Sequence, residues 1–80
     1  MARDWNHYEL AAYFHKAAPE LGMELLLVRT TNALMRSGYT TMEQLCRADE
    51  EKLLRVRNMG EKCRGFALMV REKYQAEAKP

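Results

Sequence analysis

The chain has 80 residues, a formal net charge of +2, and 48% hydrophobic and 30% charged residues. A domain of this length buries only about 60% of its unfolded surface, which leaves one compact core and argues against a large enzyme with a deep cleft. The composition is that of a globular protein rather than a disordered one. No isoleucine, three valines and ten leucines are present. This scarcity of β-branched residues favours helices over strands.

The first predicted helix extends from Asp4 to about Ala18. Asp4 is a capping residue type, and aromatic and aliphatic residues follow it at spacings of three and four. Pro19 disfavours helical backbone at Ala18, and Gly22 interrupts the pattern again. We therefore expect residues 19–24 to form a connection or a single turn.

A second helix is predicted from Leu25 to Ser37, and Gly38 follows where a left-handed cap favours glycine. Two short helices come next, each starting at a residue that caps helices. The capping candidates are Thr40 or Thr41 with Glu43 or Gln44, and then Asp49 with Lys52. The apolar sides of these two helices are Met42 and Leu45, and then Leu53, Leu54 and Val56.

The last predicted helix starts at about Glu61 and reaches Tyr74 or beyond, after a tight turn of Asn58, Met59 and Gly60. Its apolar side consists of Cys63, Phe66, Ala67, Val70 and Tyr74. Residues 76–80 are expected to fray. The sequence thus predicts an all-α fold, a compact bundle of about five short helices.

The turn before the last helix has the layout of an anion-binding site. Four cations, Arg55, Arg57, Lys62 and Arg64, face one acid, Glu61, over ten residues. Backbone N–H groups at a helix start have no helical acceptor, and the helix dipole adds positive charge there. Glycine lets a phosphate approach the backbone. This is the arrangement of a helix-hairpin-helix motif, although the same Asn-x-Gly spacing also occurs in a plain corner between two helices.

A longer pattern links this turn to the preceding helices. Its parts are Val28-Arg-Thr-Thr-Asn-Ala-Leu34, Gly38, Thr41-Met-Glu-Gln-Leu45, Leu53-Leu54 and Asn58-Met-Gly-Glu-Lys62. In this order and spacing the sequence resembles the C-terminal domain of the bacterial RNA polymerase α subunit over roughly residues 24–74. The resemblance implies a helix-hairpin-helix domain in a SAM-like arrangement that binds DNA in transcription.

The resemblance also implies which residues contact DNA. Arg29 matches the family arginine that reaches into an A·T-rich minor groove, and Asn32 matches the asparagine one turn later. Gly60 and Lys62 match the glycine and lysine that hold phosphate. The full set that we expect at the interface is Arg29, Asn32, Arg57, Asn58, Gly60, Lys62 and Cys63.

Four positions depart from the family pattern. Cys63 replaces the serine after the hairpin lysine, and Glu61 places a negative charge beside it. Leu27 stands where a serine or threonine usually precedes the Val-Arg pair. Phe66 occupies an acidic position and is expected to belong to the core.

Residues 1–22 do not resemble the family, and the large assembly domain and tether of the polymerase subunit have no counterpart in 80 residues. We therefore expect a freestanding relative with an N-terminal extra helix at 1–22, the family domain at 23–75 and a tail at 76–80. Trp5, Tyr8, Tyr13 and Phe14 are more aromatic residues than one short helix needs for docking. They either dock the helix on the domain or form a partner surface, for self-association through Trp5, Tyr8 and Tyr13 or for an alternative function as a protein-interaction module.

The other expectations concern partners and chemistry. RNA polymerase or a transcription regulator is the expected protein partner, with no membrane contact. No nucleophile with a base, no cofactor motif and no metal-ligand spacing is found in the sequence. We expect a non-enzymatic protein of the bacterial cytoplasm, without cofactor or metal, whose two cysteines stay reduced.

Overall fold

The computed structural model describes residues 8–78 and contains five α-helices, one 3₁₀ turn and no strand within them. The elements are α1 (Glu9–Leu21), the 3₁₀ turn (Glu24–Leu26), α2 (Leu27–Arg36), α3 (Met42–Arg47), α4 (Glu50–Leu54) and α5 (Glu61–Ala78). The prediction of an all-α fold with five helices is confirmed over this range. Asp4, the predicted cap, lies outside the described residues, but α1 begins only at Glu9, after extended backbone at Tyr8, so the predicted start of this helix is wrong.

The helix α1 continues through Pro19 to Leu21, so the prediction that it ends before the proline is wrong. Proline in the last turn removes only one helical hydrogen bond, and the fully buried Ala18 holds this turn against the core. The helix instead ends at Gly22, whose φ of 69° is left-handed. The N–H of Gly22 donates to the Pro19 carbonyl (3.2 Å) and that of Met23 to the Ala18 carbonyl (3.0 Å), which closes the helix end as a Schellman motif.

The caps of the two short helices are confirmed, and the structure selects between the alternatives. The Thr41 hydroxyl accepts from the Gln44 N–H (3.2 Å), while the Gln44 side-chain oxygen accepts from the Thr41 N–H (3.1 Å). The Asp49 carboxylate accepts from the Lys52 N–H (2.8 Å). Leu54, expected on the core side, is 59% exposed. With only five residues, α4 turns one leucine inward and leaves the next in solvent.

The core joins α1 to α5 as well as to α2 and α3. Phe14 and Phe66 are both fully buried and pack edge to face, with ring centroids 5.5 Å apart. Phe66 is therefore a core residue, as predicted. A second edge-to-face pair, Tyr13 with Tyr74 at 5.1 Å, lies toward the surface. The extra N-terminal helix thus packs into the same core as the rest of the domain.

A polar cluster holds the far end of α5 against α1. The Tyr13 hydroxyl donates to the Glu77 carboxylate (2.5 Å), and the Lys73 ammonium lies 2.9 Å from carboxylate oxygens of both Glu77 and Glu20. Burial, together with the hydrogen bond to Glu77, raises the pKa of Tyr13 to about 12. The helix α5 extends to Ala78. The described part of the predicted 76–80 tail, residues 76–78, is therefore helical.

Two further sequence expectations concern membranes and cysteines. Within residues 8–78, no helix is long and apolar enough to cross a bilayer. Cys46 is half-buried and Cys63 is buried, and both thiols are free. Burial raises the pKa of the Cys46 thiol and so favours its protonated form.

Candidate nucleic-acid interface

The outer face of α2 carries the polar residues of the site. Thr30, Thr31 and Leu34 turn toward the core. Since side chains three and four residues apart share a helix face, Arg29, Asn32 and Arg36 fall together on the opposite side. Both arginines are exposed, and Asn32 is half-buried.

The second part of the site is the connection between α4 and α5, which covers residues 55–60 and is longer than the predicted three-residue turn. Asn58 has a φ of 62°, a left-handed conformation that asparagine tolerates better than most residues. Met59 is buried and anchors the connection to the core. The Arg64 N–H donates to the Gly60 carbonyl (2.9 Å), so the backbone N–H groups between them lack a helical acceptor.

Gly60 is not required by the fold. Its φ lies outside the left-handed region, and a Cβ built there would meet no atom within 4 Å. Because Gly60 has no side chain, open space remains on the outside of the hairpin at this position. This is the property needed for a ligand to approach the backbone closely.

These two parts meet in a concave surface of about 660 Å³, here named the α2 groove. It is lined by Arg29, Asn32, Ala33, Arg36, Asn58, Met59 and Gly60. Four of the seven predicted site residues are thus brought together: Arg29, Asn32, Asn58 and Gly60. Arg57 and Lys62 are exposed and lie close to lining residues in sequence, but they do not line the groove themselves.

Cys63 has to be removed from the predicted set of contacts. Its side chain is only 3% exposed and belongs to the core cluster with Phe66, Ala67 and Val70. These residues recur at spacings of three and four, so the face of α5 that packs inward includes position 63. The position matches the family serine, but the thiol of Cys63 faces away from solvent.

Arg36 is the charged groove residue that the sequence did not predict. It lies four residues after Asn32 and seven after Arg29, so helical spacing alone places it on the same face. The family pattern includes Arg29 and Asn32 but no DNA-contacting residue at position 36, one helical turn further on. Ala33 and Met59 were not assigned to the site either, and both contribute apolar lining.

The cations near the groove are not neutralised by neighbouring acids. Among residues 8–78 the ion pairs are Arg47–Glu43, Arg55–Glu51, Lys73–Glu20 and Lys73–Glu77. None of these pairs includes Arg29, Arg36, Arg57, Lys62 or Arg64. The positive charge of α2 and the hairpin is therefore available to an anionic partner. The same residues contain no group of three or more His, Cys, Asp or Glu side chains placed to hold a metal ion.

Comparison with known proteins identifies the family. Residues 22–65 match the family model that describes the C-terminal domain of the alpha subunit of bacterial RNA polymerase. The protein belongs to this family. The match covers the 3₁₀ turn, α2, α3, α4 and the start of α5, and therefore includes every residue of the α2 groove. The resemblance found in the sequence is confirmed.

A curated relative supports the same assignment. The DNA-directed RNA polymerase subunit alpha of Desulforudis audaxviator (strain MP104C) is 46% identical to this protein over 37 residues. That alignment covers 46% of the 80-residue sequence and 12% of the subunit. No solved structure matches the protein significantly. The helix α1 lies before the region that the family model matches.

Proposed function

We propose that this domain binds DNA in transcription, with the α2 groove on an A·T-rich minor groove and the hairpin on the phosphate backbone. The family is one of RNA polymerase domains, which supports a role in transcription. The observation that carries the proposal is the groove itself, where two exposed arginines without ion pairs meet two asparagines and an open glycine backbone.

The side chains that line the α2 groove match the chemistry of a DNA minor groove. A·T base pairs present only acceptors at their minor-groove edge, and guanidinium and amide groups donate to acceptors. A·T tracts also narrow the groove and strengthen its negative potential, which attracts an inserted arginine. Arg29 and Asn32 supply these two donor types on one helix face. We propose that Arg29 enters the DNA minor groove and that Asn32 contacts the edge of that groove.

The hairpin supplies the phosphate contacts in this proposal. Free backbone N–H groups follow Gly60, and the exposed Lys62 lies in the same first turn of α5. Arg57 and Asn58 lie just before them. Glu61 is exposed in the same turn and opposes an incoming phosphate, so the affinity is expected to be lower than with a neutral residue there.

The alternative role for α1 has less support. The interpretation that α1 is a protein-interaction helix depended on surplus aromatic residues. Phe14 is buried, and Tyr13 and Tyr8 pack against the core. Of those aromatic side chains only Trp5 lies outside the described residues, and self-association through Trp5, Tyr8 and Tyr13 stays a prediction. We propose that RNA polymerase or a transcription regulator is a further partner of this domain. We also propose that the protein acts in the bacterial cytoplasm and is not an enzyme.

The test compares two exposed arginines. The wild type, Arg29→Ala and Arg47→Ala are titrated with A·T-rich and G·C-rich duplexes at low salt. Arg47 is the matched control because it is ion-paired with Glu43 on α3. Arg29→Ala should lose about 1–3 kcal/mol of binding free energy and most of the A·T preference, while Arg47→Ala stays close to wild type. If all three proteins bind both duplexes equally, the minor-groove assignment is wrong.

A further inference from the structure

A leucine with no internal contacts precedes the α2 groove. Leu25, in the 3₁₀ turn, is 100% exposed, and Val28 one turn later is 64% exposed. A large apolar side chain that is wholly in water contributes nothing to the fold. The neighbouring Leu26 and Leu27 pack against the core and already anchor this segment. Packing within the fold therefore does not account for Leu25.

The position of Leu25 relates it to the arginines of the groove. It lies four residues before Arg29, so the two side chains share a helix face with Asn32 and Arg36 further along. Leu25 lies in the 3₁₀ turn that runs directly into α2, so at about 1.5–2.0 Å per residue it is about 6–8 Å from Arg29 along the helix axis. The stripe is thus apolar in the 3₁₀ turn and cationic along α2.

We propose that Leu25 is a DNA contact that packs against the deoxyribose wall of the minor groove that Arg29 enters. The inference rests on the proposed function of the α2 groove. The minor groove is about 6 Å wide, so its walls begin about 3 Å from its centre, and a side chain about 6–8 Å from one at the centre lies over the sugars of a wall. The walls are sugar edges, which offer C–H groups and no charge. Leucine matches that chemistry, and apolar side chains are frequent at minor-groove contacts.

The charge of the stripe favours DNA over a protein as the occupant of this position. Arg29 and Arg36 share the face of Leu25 and have no acidic partner among the described residues. An occupant that covers the stripe has to be polyanionic along the helix and apolar at one end. The minor groove of a duplex has both properties over this distance.

An apolar contact has its own signature in a salt titration. Binding through cations releases counterions, so removal of one phosphate contact changes the slope of log K against log salt by about one. A leucine against sugar releases none. Leu25→Gln should weaken binding to A·T-rich duplex about fivefold, which corresponds to about 1 kcal/mol, and should leave the salt slope unchanged.

The matched control is Leu54→Gln, an exposed leucine on α4 that does not line the groove. It should bind as the wild type does, and both variants should melt at the wild-type temperature. In NMR spectra of the complex, the Leu25 methyl groups should give intermolecular cross-peaks to deoxyribose protons, and those of Leu54 should not.

Two results would overturn the inference, and they are distinguishable. If the wild type binds A·T-rich duplex and Leu25→Gln binds equally well, Leu25 is not a DNA contact, and a protein partner becomes the candidate that covers it. If the wild type binds no duplex at all, the proposed function fails and this inference fails with it. A lower affinity combined with a shallower salt slope would also contradict an apolar contact.

Discussion

The packing of α1 into the core makes a quantitative prediction for Phe14→Leu. Phe14 is fully buried and meets the fully buried Phe66 edge to face at 5.5 Å. Such a pair contributes about 0.5–1.5 kcal/mol beyond burial. Leucine keeps the site apolar but fills less of it, so the total loss should be about 1–2 kcal/mol. A domain of 80 residues has about 4–12 kcal/mol of stability, so the variant should remain folded.

Urea unfolding followed by circular dichroism measures this loss. The wild type, Phe14→Leu, Phe66→Leu and the double variant form a cycle whose coupling energy should be about 0.5–1.5 kcal/mol. His15→Ala is the control, because His15 is exposed on the same helix and its loss should cost less than about 0.5 kcal/mol. Additive effects within error, together with a loss below about 0.5 kcal/mol for Phe14→Leu, would refute the packing of α1 on α5.

Four further predictions concern the hairpin and the polar cluster. Lys62→Ala should weaken binding to all duplexes equally and lower the salt slope by about one, measured by fluorescence anisotropy over a salt series; a loss confined to A·T-rich DNA would contradict a phosphate contact. Glu61→Lys should tighten binding in the same assay, and Gly60→Val should weaken it while the domain stays folded, because a side chain there has space in the free protein. No effect from either would mean that the hairpin does not face DNA. The pKa of Tyr13 is raised above its usual 10.0 to about 12, so the contact with Glu77 is complete below pH 10 and lost as the pH rises through 12. Tyrosinate absorbance should therefore show a step near pH 12 that Tyr13→Phe abolishes.

Local signals in the sequence were enough to predict the helix ends formed by capping residues and glycines. Thr41 with Gln44 and Asp49 with Lys52 cap their helices as the pattern indicates. Gly38 has the positive φ expected after α2. These features depend on a few consecutive residues, so the sequence alone contains the necessary information.

The errors came from residues whose placement depends on the rest of the fold. Pro19 fits within α1 because Ala18 is buried against other helices, a contact that no local rule contains. Leu54 was assigned to the core from its apolar character, but the packing of the short α4 leaves it exposed. Cys63 was assigned to the interface from the family pattern, although its spacing with Phe66 and Val70 had already placed it on the apolar side of α5. The 3₁₀ turn before α2 was predicted as ordinary helix, since the two differ little in residue preference.

The candidate site was predicted in part. Arg29, Asn32, Asn58 and Gly60 do meet in one groove, as the family pattern implied. Helical spacing alone would have placed Arg36 on the same face as Asn32, but the family pattern does not include it. The exposure of Leu25 could not be read from the sequence, because three leucines in a row do not reveal which one turns outward.

The most direct test of the central claim is an NMR titration of isotope-labelled protein with an A·T-rich duplex. If the α2 groove binds DNA, the largest shifts should fall on Arg29, Asn32, Arg36, Asn58 and Gly60. They should weaken with rising salt and be smaller with a G·C-rich duplex. Shifts confined to the exposed face of α1, or none at any duplex concentration, would contradict the account.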